Sequence, residues 1–238
     1  AALTCSNFLR DENSAPVAQT MVAEMKQSGI SFEYEFPQEV TVPSEERITL
    51  LPLVSKEVKG EPGYWIVPKS SNYAFLLYRI DAVQSLVDAD LNVYFDGRFV
   101  GQTKLSAKKT GEQFEINLGA DRQVLFHQDK TRDKLTETAL FKQVDRKTVI
   151  RDMAFTTTIE NTKDKPVIVY LLDNVPVAKT DKIEVKDLVM NPAPTVRDFR
   201  NQEGVMCWEF VLKPKEKKEV NIEFKVLYPK DENITGLE

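Results

Sequence analysis

Val220, Ile222, Phe224, Val226 and Tyr228 are apolar and alternate with Asn221, Glu223 and Lys225. Successive side chains of a strand point to opposite faces, so this spacing describes a strand with one buried face, not an amphipathic helix. The same two-residue period recurs along the chain. Ile30, Phe32, Tyr34 and Phe36 alternate with Ser31, Glu33 and Glu35; Phe114, Ile116 and Leu118 with Glu115 and Asn117. Met153, Phe155, Thr157 and Ile159 form another such face, and Met206, Trp208, Phe210 and Leu212 a fourth. Ala74–Ile80 is a nearly continuous apolar run, the pattern of a central strand covered on both faces, and Val167–Leu172 reads as a second buried run. Turn residues separate these segments at roughly 8–12-residue intervals, which points to a sandwich or barrel. No helix of ordinary length lies between strands, so a parallel α/β sheet is not expected. The fold class is all-β, with two antiparallel β-sandwich-like regions and a short N-terminal helical lead.

The lead spans residues 1–29. Pro16, Val17, Met21, Val22 and Met25 have helical spacing, Ser14 can cap the segment, and Gly29 can stop it. A first β domain is expected over 30–127. Residues 128–147 are strongly charged and poor in apolar side chains; they read as a connection, with the outer part of a long hairpin as the alternative. An immunoglobulin-like β-sandwich is expected over 148–238. The sharpest local signal lies within the first domain. Two apolar strands flank Asp96-Gly97, and a type I′ turn needs a positive φ at both central residues, which Asp and Gly accept most cheaply.

Composition removes several function classes. The chain has 238 residues with 13 Phe, 7 Tyr and 2 Trp, enough apolar surface for a core. Its longest charge-free apolar stretch, Ser70–Tyr78, is far short of the ~20 residues of a membrane span. A net charge of −5 makes nucleic acid a poor partner, and Lys213, Lys215, Lys217 and Lys218 read as a solvated turn. One His and two Cys cannot build a closed zinc site, and Cys5 and Cys207 permit a disulfide without requiring it. Asp88, Asp90 and Asn92 open like a calcium loop, but Val93 stands where glycine is needed and Phe99 where the bidentate acid belongs. There is no Gly-rich phosphate loop and no Gly-x-Ser-x-Gly, and His127 has no Ser or Cys at motif spacing. No cofactor is expected. Among the 37 acidic residues nothing marks one pair as hydrolytic. Tyr64-Trp65 is the candidate ligand site, an aromatic platform for a sugar or peptide, although aromatics at strand spacing are more often core.

Several of these segments, taken in order, resemble one family. Tyr94-Phe95-Asp96-Gly97-Arg98-Phe99-Val100-Gly101, then Leu118-Gly119-Ala120-Asp121, are similar to the signatures of the C-terminal domain of mucoidy-inhibitor-A-like proteins, a domain of unknown function. Thr158-Ile159-Glu160-Asn161-Thr162-Lys163 with Pro166-Val167, and Asp173-Asn174-Val175-Pro176-Val177, resemble its central stretch. Trp208 and Tyr228-Pro229-Lys230-Asp231 resemble its C-terminal end, and the likeness covers about Ile30 to Leu237. The resemblance implies a piece of a longer protein whose other parts include a further β domain and a coiled coil. It carries no reaction and no catalytic residue to transfer.

The expected function is therefore a non-catalytic structural or protein-interaction module of a larger envelope-associated or extracytoplasmic protein. Its partner would be another protein, the remainder of the same polypeptide or a second copy. A carbohydrate-binding module on Tyr64 and Trp65 is the first rival, and a hydrolase with a carboxylate pair the second. The turn assignment makes a direct prediction: Gly97→Val should lower stability by ~1 kcal/mol or more, because a β-branched residue resists positive φ. An unchanged thermal midpoint would contradict it.

Overall fold

The computed structural model describes residues 3–7, 24–28, 31–35, 39, 41, 55–95, 97–138, 148–232 and 234. Among them are the strands β1 (Leu3–Asn7), β2 (Glu24–Ser28), β3 (Ser31–Glu35), β4 (Ser55–Val58), β5 (Glu61–Ile66), β6 (Ala74–Asp81), β7 (Ala89–Phe95) and β8 (Arg98–Leu105). They continue with β9 (Gln113–Asp121), β10 (Val124–Thr138), β11 (Thr148–Asn161), β12 (Val167–Asn174), β13 (Glu184–Asn191), β14 (Val205–Leu212) and β15 (Lys217–Pro229). The one helical element among the described residues is a 3-10 turn at Phe199–Asn201. The sheets run in the orders β4-β1-β7-β8, β10-β11-β15-β13, β14-β12-β5-β6-β9 and β2-β3. The protein is all-β, as the alternation predicts.

The chain divides into two compact units, one of residues 1–62 and 77–119, the other of 63–76 and 120–238. The first is built on Tyr78, Ile80, Leu91, Val93 and Ile116, against which Phe95, Leu105, Phe114 and Leu118 pack. The second has the larger core. β11 and β15 contribute Met153, Phe155, Ile159, Val220, Ile222, Phe224 and Val226; β12, β14 and β5 contribute Val169, Leu171, Trp208, Phe210, Leu212, Tyr64 and Ile66. One hydrophobic cluster is thus drawn from two sheets. Trp208 is fully buried, and its indole Nε1 donates to the Pro192 carbonyl at 2.8 Å, which satisfies the one polar atom it takes into the core.

Four expectations are corrected. The helical stretch 16–22 lies outside the described residues, and the described parts of the lead are strands. β1 sits between β4 and β7, and β2 pairs antiparallel with β3 from Glu24↔Glu35 to Ser28↔Ser31. A glycine at position 29 suits a two-residue hairpin connection as well as a helix stop, so the sequence signal was ambiguous. Second, the sheets are not purely antiparallel, because β12 pairs parallel with β5 through Val169↔Tyr64, Tyr170↔Trp65 and Leu171↔Ile66. Third, that pairing changes the division expected at 30–127 and 148–238, since residues 63–76 fall in the second unit.

Fourth, over the described part of 128–147 the favoured reading, a connection, gives way to the alternative, the outer part of a long hairpin. β10 runs unbroken to Thr138 and pairs with β11 down to Thr138↔Thr148, with one bulge between Lys130 and Arg132. Charge hid this strand, because its side chains are matched by cross-strand ion pairs instead of by apolar burial. Arg151 donates from Nε and Nη2 to both oxygens of Asp133, at 2.8 and 2.7 Å. Arg132 Nε donates to Asp152 at 2.8 Å, and its Nη2 reaches Glu223 on β15.

This arrangement sets a pH dependence. The Arg151 guanidinium, helped by Lys130, holds the Asp133 carboxyl at about 2, below its ordinary 3.8. A carboxylate whose folded pKa is depressed adds stability above its unfolded pKa and loses it as pH falls through the folded value. Asp133→Asn should therefore be less stable than the parent at neutral pH, with the gap closing between about pH 4 and pH 2. Urea midpoints of the two proteins across that range measure it; a gap independent of pH would contradict it.

Candidate functional site

Several of the motif residues, Asp121, Asn161 and Asp173 among them, lie at or near strand ends in the second unit. Asp121 closes β9. Its Oδ2 lies 2.6 Å from Lys163 Nζ and accepts the Tyr64 hydroxyl at 3.1 Å, while its Oδ1 accepts the Gln123 amide at 2.8 Å. Burial alone would push this carboxyl up, but the hydrogen bonds from Lys163, Gln123 and Tyr64 outweigh it and hold the group below its ordinary value. Lys163 Nζ also donates to Gln123 Oε1 at 3.0 Å and lies 5.5 Å from the Tyr64 ring centre.

Asn161 ends β11 and is fully buried. Its Nδ2 lies within donating distance of the carbonyls of Lys165, Leu212 and Lys213, at 2.9, 3.2 and 3.0 Å, and its Oδ1 accepts the Lys163 amide at 3.0 Å. Asp173, near the end of β12, is the third such group. Its Oδ1 meets Lys69 Nζ at 3.0 Å and the Asn174 amide at 2.8 Å; its Oδ2 accepts Gln128 Nε2 at 2.7 Å. Gln128 also lies 2.9 Å from the hydroxyl of buried Thr157. The Asp121 and Asp173 carboxylates are each matched by a lysine and by backbone or side-chain donors.

The predicted platform is rearranged. Tyr64 faces the core at 5% exposure, so it cannot share a surface with Trp65. Neighbours along a strand point to opposite faces, and Trp65 takes the outer one. There it is half-buried and stacks on Tyr170 at 5.1 Å and 27°, with Phe199 at 5.8 Å and the Arg200 guanidinium carbon 5.3 Å from its ring. Gly63 makes the stack possible, since a Cβ there would lie 2.6 Å from the Tyr170 ring. Phe199 and Arg200 are presented by a tight loop in which Asp198, Arg200 and Asn201 have φ of 51°, 55° and 60°. Tyr170, Phe199 and Arg200 were not predicted. They reach Trp65 through the parallel β5–β12 pairing and a loop more than a hundred residues away, and no local pattern encodes either.

Of the predicted turn, Asp96 lies outside the described residues. Gly97 has φ of 73°, and Phe95↔Arg98 closes the ladder around it. An added Cβ would meet nothing within 4 Å, so a substitution there is opposed by backbone conformation alone. His127 is exposed and bonds to Asp129 at 2.9 Å. Asp88 Oδ1 accepts the Ala107 amide at 2.6 Å. Among the described residues no three His, Cys, Asp or Glu side chains gather as a metal set. Cys207 is buried.

A family model described as a domain of unknown function (DUF4139) matches residues 5–230, and the chain belongs to that family. No curated protein and no solved structure gives a match.

The strand-end network predicts a large effect at one position. Asn161→Ala would leave buried carbonyls and the Lys163 amide without a partner, at ~1–3 kcal/mol for each such group. A loss of about 2–4 kcal/mol in urea unfolding is expected. A change below ~0.5 kcal/mol, the size of a surface substitution, would contradict the role.

Proposed function

We propose that this DUF4139 domain is a non-catalytic protein-interaction module, and that its contact surface is the outer face of β12, β5 and β14. One observation carries the reading. Val167–Leu172 is apolar without a break, the pattern of a strand covered on both faces. Val169 and Leu171 face the core, so Ile168, Tyr170 and Leu172 face away from it and stay only half-buried. Tyr170 pairs with Trp65, and Ile168 with Val211, which is 65% exposed. The result is an apolar and aromatic stripe bordered by Arg200 and Glu209, the mixture that favours protein contacts. Opposing a hydrolytic carboxylate pair, Asp121 and Asp173 are engaged by different lysines, Lys163 and Lys69. The resemblance to mucoidy-inhibitor-A-like proteins supports placement in a larger envelope-associated or extracytoplasmic protein, in which the two sheets of the second unit form an immunoglobulin-like sandwich.

The carbohydrate reading keeps Trp65 and replaces Tyr64 with Tyr170, but the Trp65 ring is already stacked by Tyr170 and approached by Arg200. A photoreactive residue placed at Val211, with a control at Val83, which is 79% exposed, tests the proposal in the source cells. A discrete protein adduct from position 211 alone is expected. Equal adducts from both positions, or none from 211, would overturn it, and quenching of tryptophan fluorescence by a glycan without any adduct would move the assignment to sugar binding.

A further inference from the structure

We propose that Lys69 and Asn174 form an intramolecular isopeptide bond, with Asp173 as the general base and acid of the reaction. Three reacting groups meet at one point. Lys69 Nζ lies 2.8 Å from Asn174 Oδ1, 3.0 Å from the Asn174 carbonyl oxygen and 3.0 Å from Asp173 Oδ1. An ammonium can only donate, so the amide atom that faces it is the oxygen and not the nitrogen. The amide carbon is one bond beyond, and a small rotation of the Asn174 side chain brings it to the ~3–3.5 Å of near attack.

The surroundings favour reaction at this pair. The Asp173 side chain is 2% exposed and the Phe155 ring centre lies 5.6 Å from Nζ, so the carboxylate and amine meet where water is scarce on one side. The reaction requires one proton to pass from the ammonium to the carboxylate, and the 3.0 Å contact between Nζ and Oδ1 supplies the path. Gln128 and the Asn174 amide hold the carboxylate in place against Nζ. A slow step suffices for a reaction that occurs once per molecule.

The balance is complete without a co-reactant. Asp173 takes one proton from the Lys69 ammonium. The amine nitrogen bonds to Asn174 Cγ, the Cγ–Nδ2 bond breaks, and a proton from the attacking nitrogen leaves with Nδ2 as ammonia. Asp173 then returns its proton to the ammonia, and the carboxylate is regenerated. The product ties the turn after β5 to the end of β12, two strands that pair in parallel.

Intact-mass measurement of the purified chain, followed by peptide mapping, tests this. The expected mass is below the sequence value by one ammonia, ~17 Da, and Lys69→Arg and Asn174→Ala should each restore the full mass. Trypsin should fail to cleave after Lys69 and should release a branched peptide joining residues 69 and 174. Asp173→Asn should block the bond; should it unfold the chain, Lys69→Arg and the branched peptide still decide. A folded parent protein at full mass with Lys69 freely cleaved would overturn the proposal, as would an ammonia loss that maps elsewhere.

Discussion

Two sheets can share one core only where the backbone groups at their strand ends find partners, because water no longer reaches them. In the second unit this requirement falls on a few side chains. Asn161 gathers the carbonyls of Lys165, Leu212 and Lys213, which belong to two different turns, and takes the Lys163 amide on its own oxygen. Asp121 then fixes Lys163 and Gln123, and Tyr64 reaches it from the core. The ends of β9, β11 and β14 and the starts of β10 and β12 are joined by this set. Without it the inward faces of Phe155, Ile159, Trp208 and Leu212 could still be apolar, but their register at the rim would have no anchor.

That use of polar residues bears directly on function. Asp, Asn and Lys in short motifs invite a catalytic reading, yet here Asp121 and Asp173 each end on a lysine and an amide. The proposed contact surface is the outer face of β12 and its neighbours, where Trp65 and Tyr170 stack and Val211 stands exposed. The loop that adds Phe199 and Arg200 holds three non-glycine residues at positive φ, a conformation that surrounding structure must hold in place. Its hold comes in part from Asp198 Oδ1, which accepts the Gly204 amide at 2.7 Å, and from the bridge between Val196 and Cys207 that covers the edge of β14.

The strands were legible wherever burial is one-sided and apolar. β15 follows its alternation from Val220 to Val226, and β11 and β14 follow theirs except at buried Ala154 and Cys207, because water and core impose a period of two. Beyond Gln128 the sequence left β10 open between a connection and a long hairpin, because its pairing is expressed as Arg–carboxylate bonds that look like any charged stretch in one dimension. The order of strands was not legible. Parallel pairing of β5 with β12 depends on which strands can cover Leu171 and Val169, a property of the assembled core. The same gap hid the real neighbours of Trp65: local sequence offered Tyr64, which strand geometry necessarily sends to the opposite face.

The account rests on the claim that the motif residues are internal ties of the folded core. Native-state hydrogen exchange at the amides of Lys163, Gln123 and Asn174 tests it, since each donates to a side chain and lies outside the strand ladders or at their ends. If the ties are structural, these amides exchange only through global unfolding, with free energies within ~1 kcal/mol of the value from urea denaturation. Exchange at the low free energies of fraying turns, while the β11–β15 amides stay protected, would show that the strand ends are open and would contradict the account.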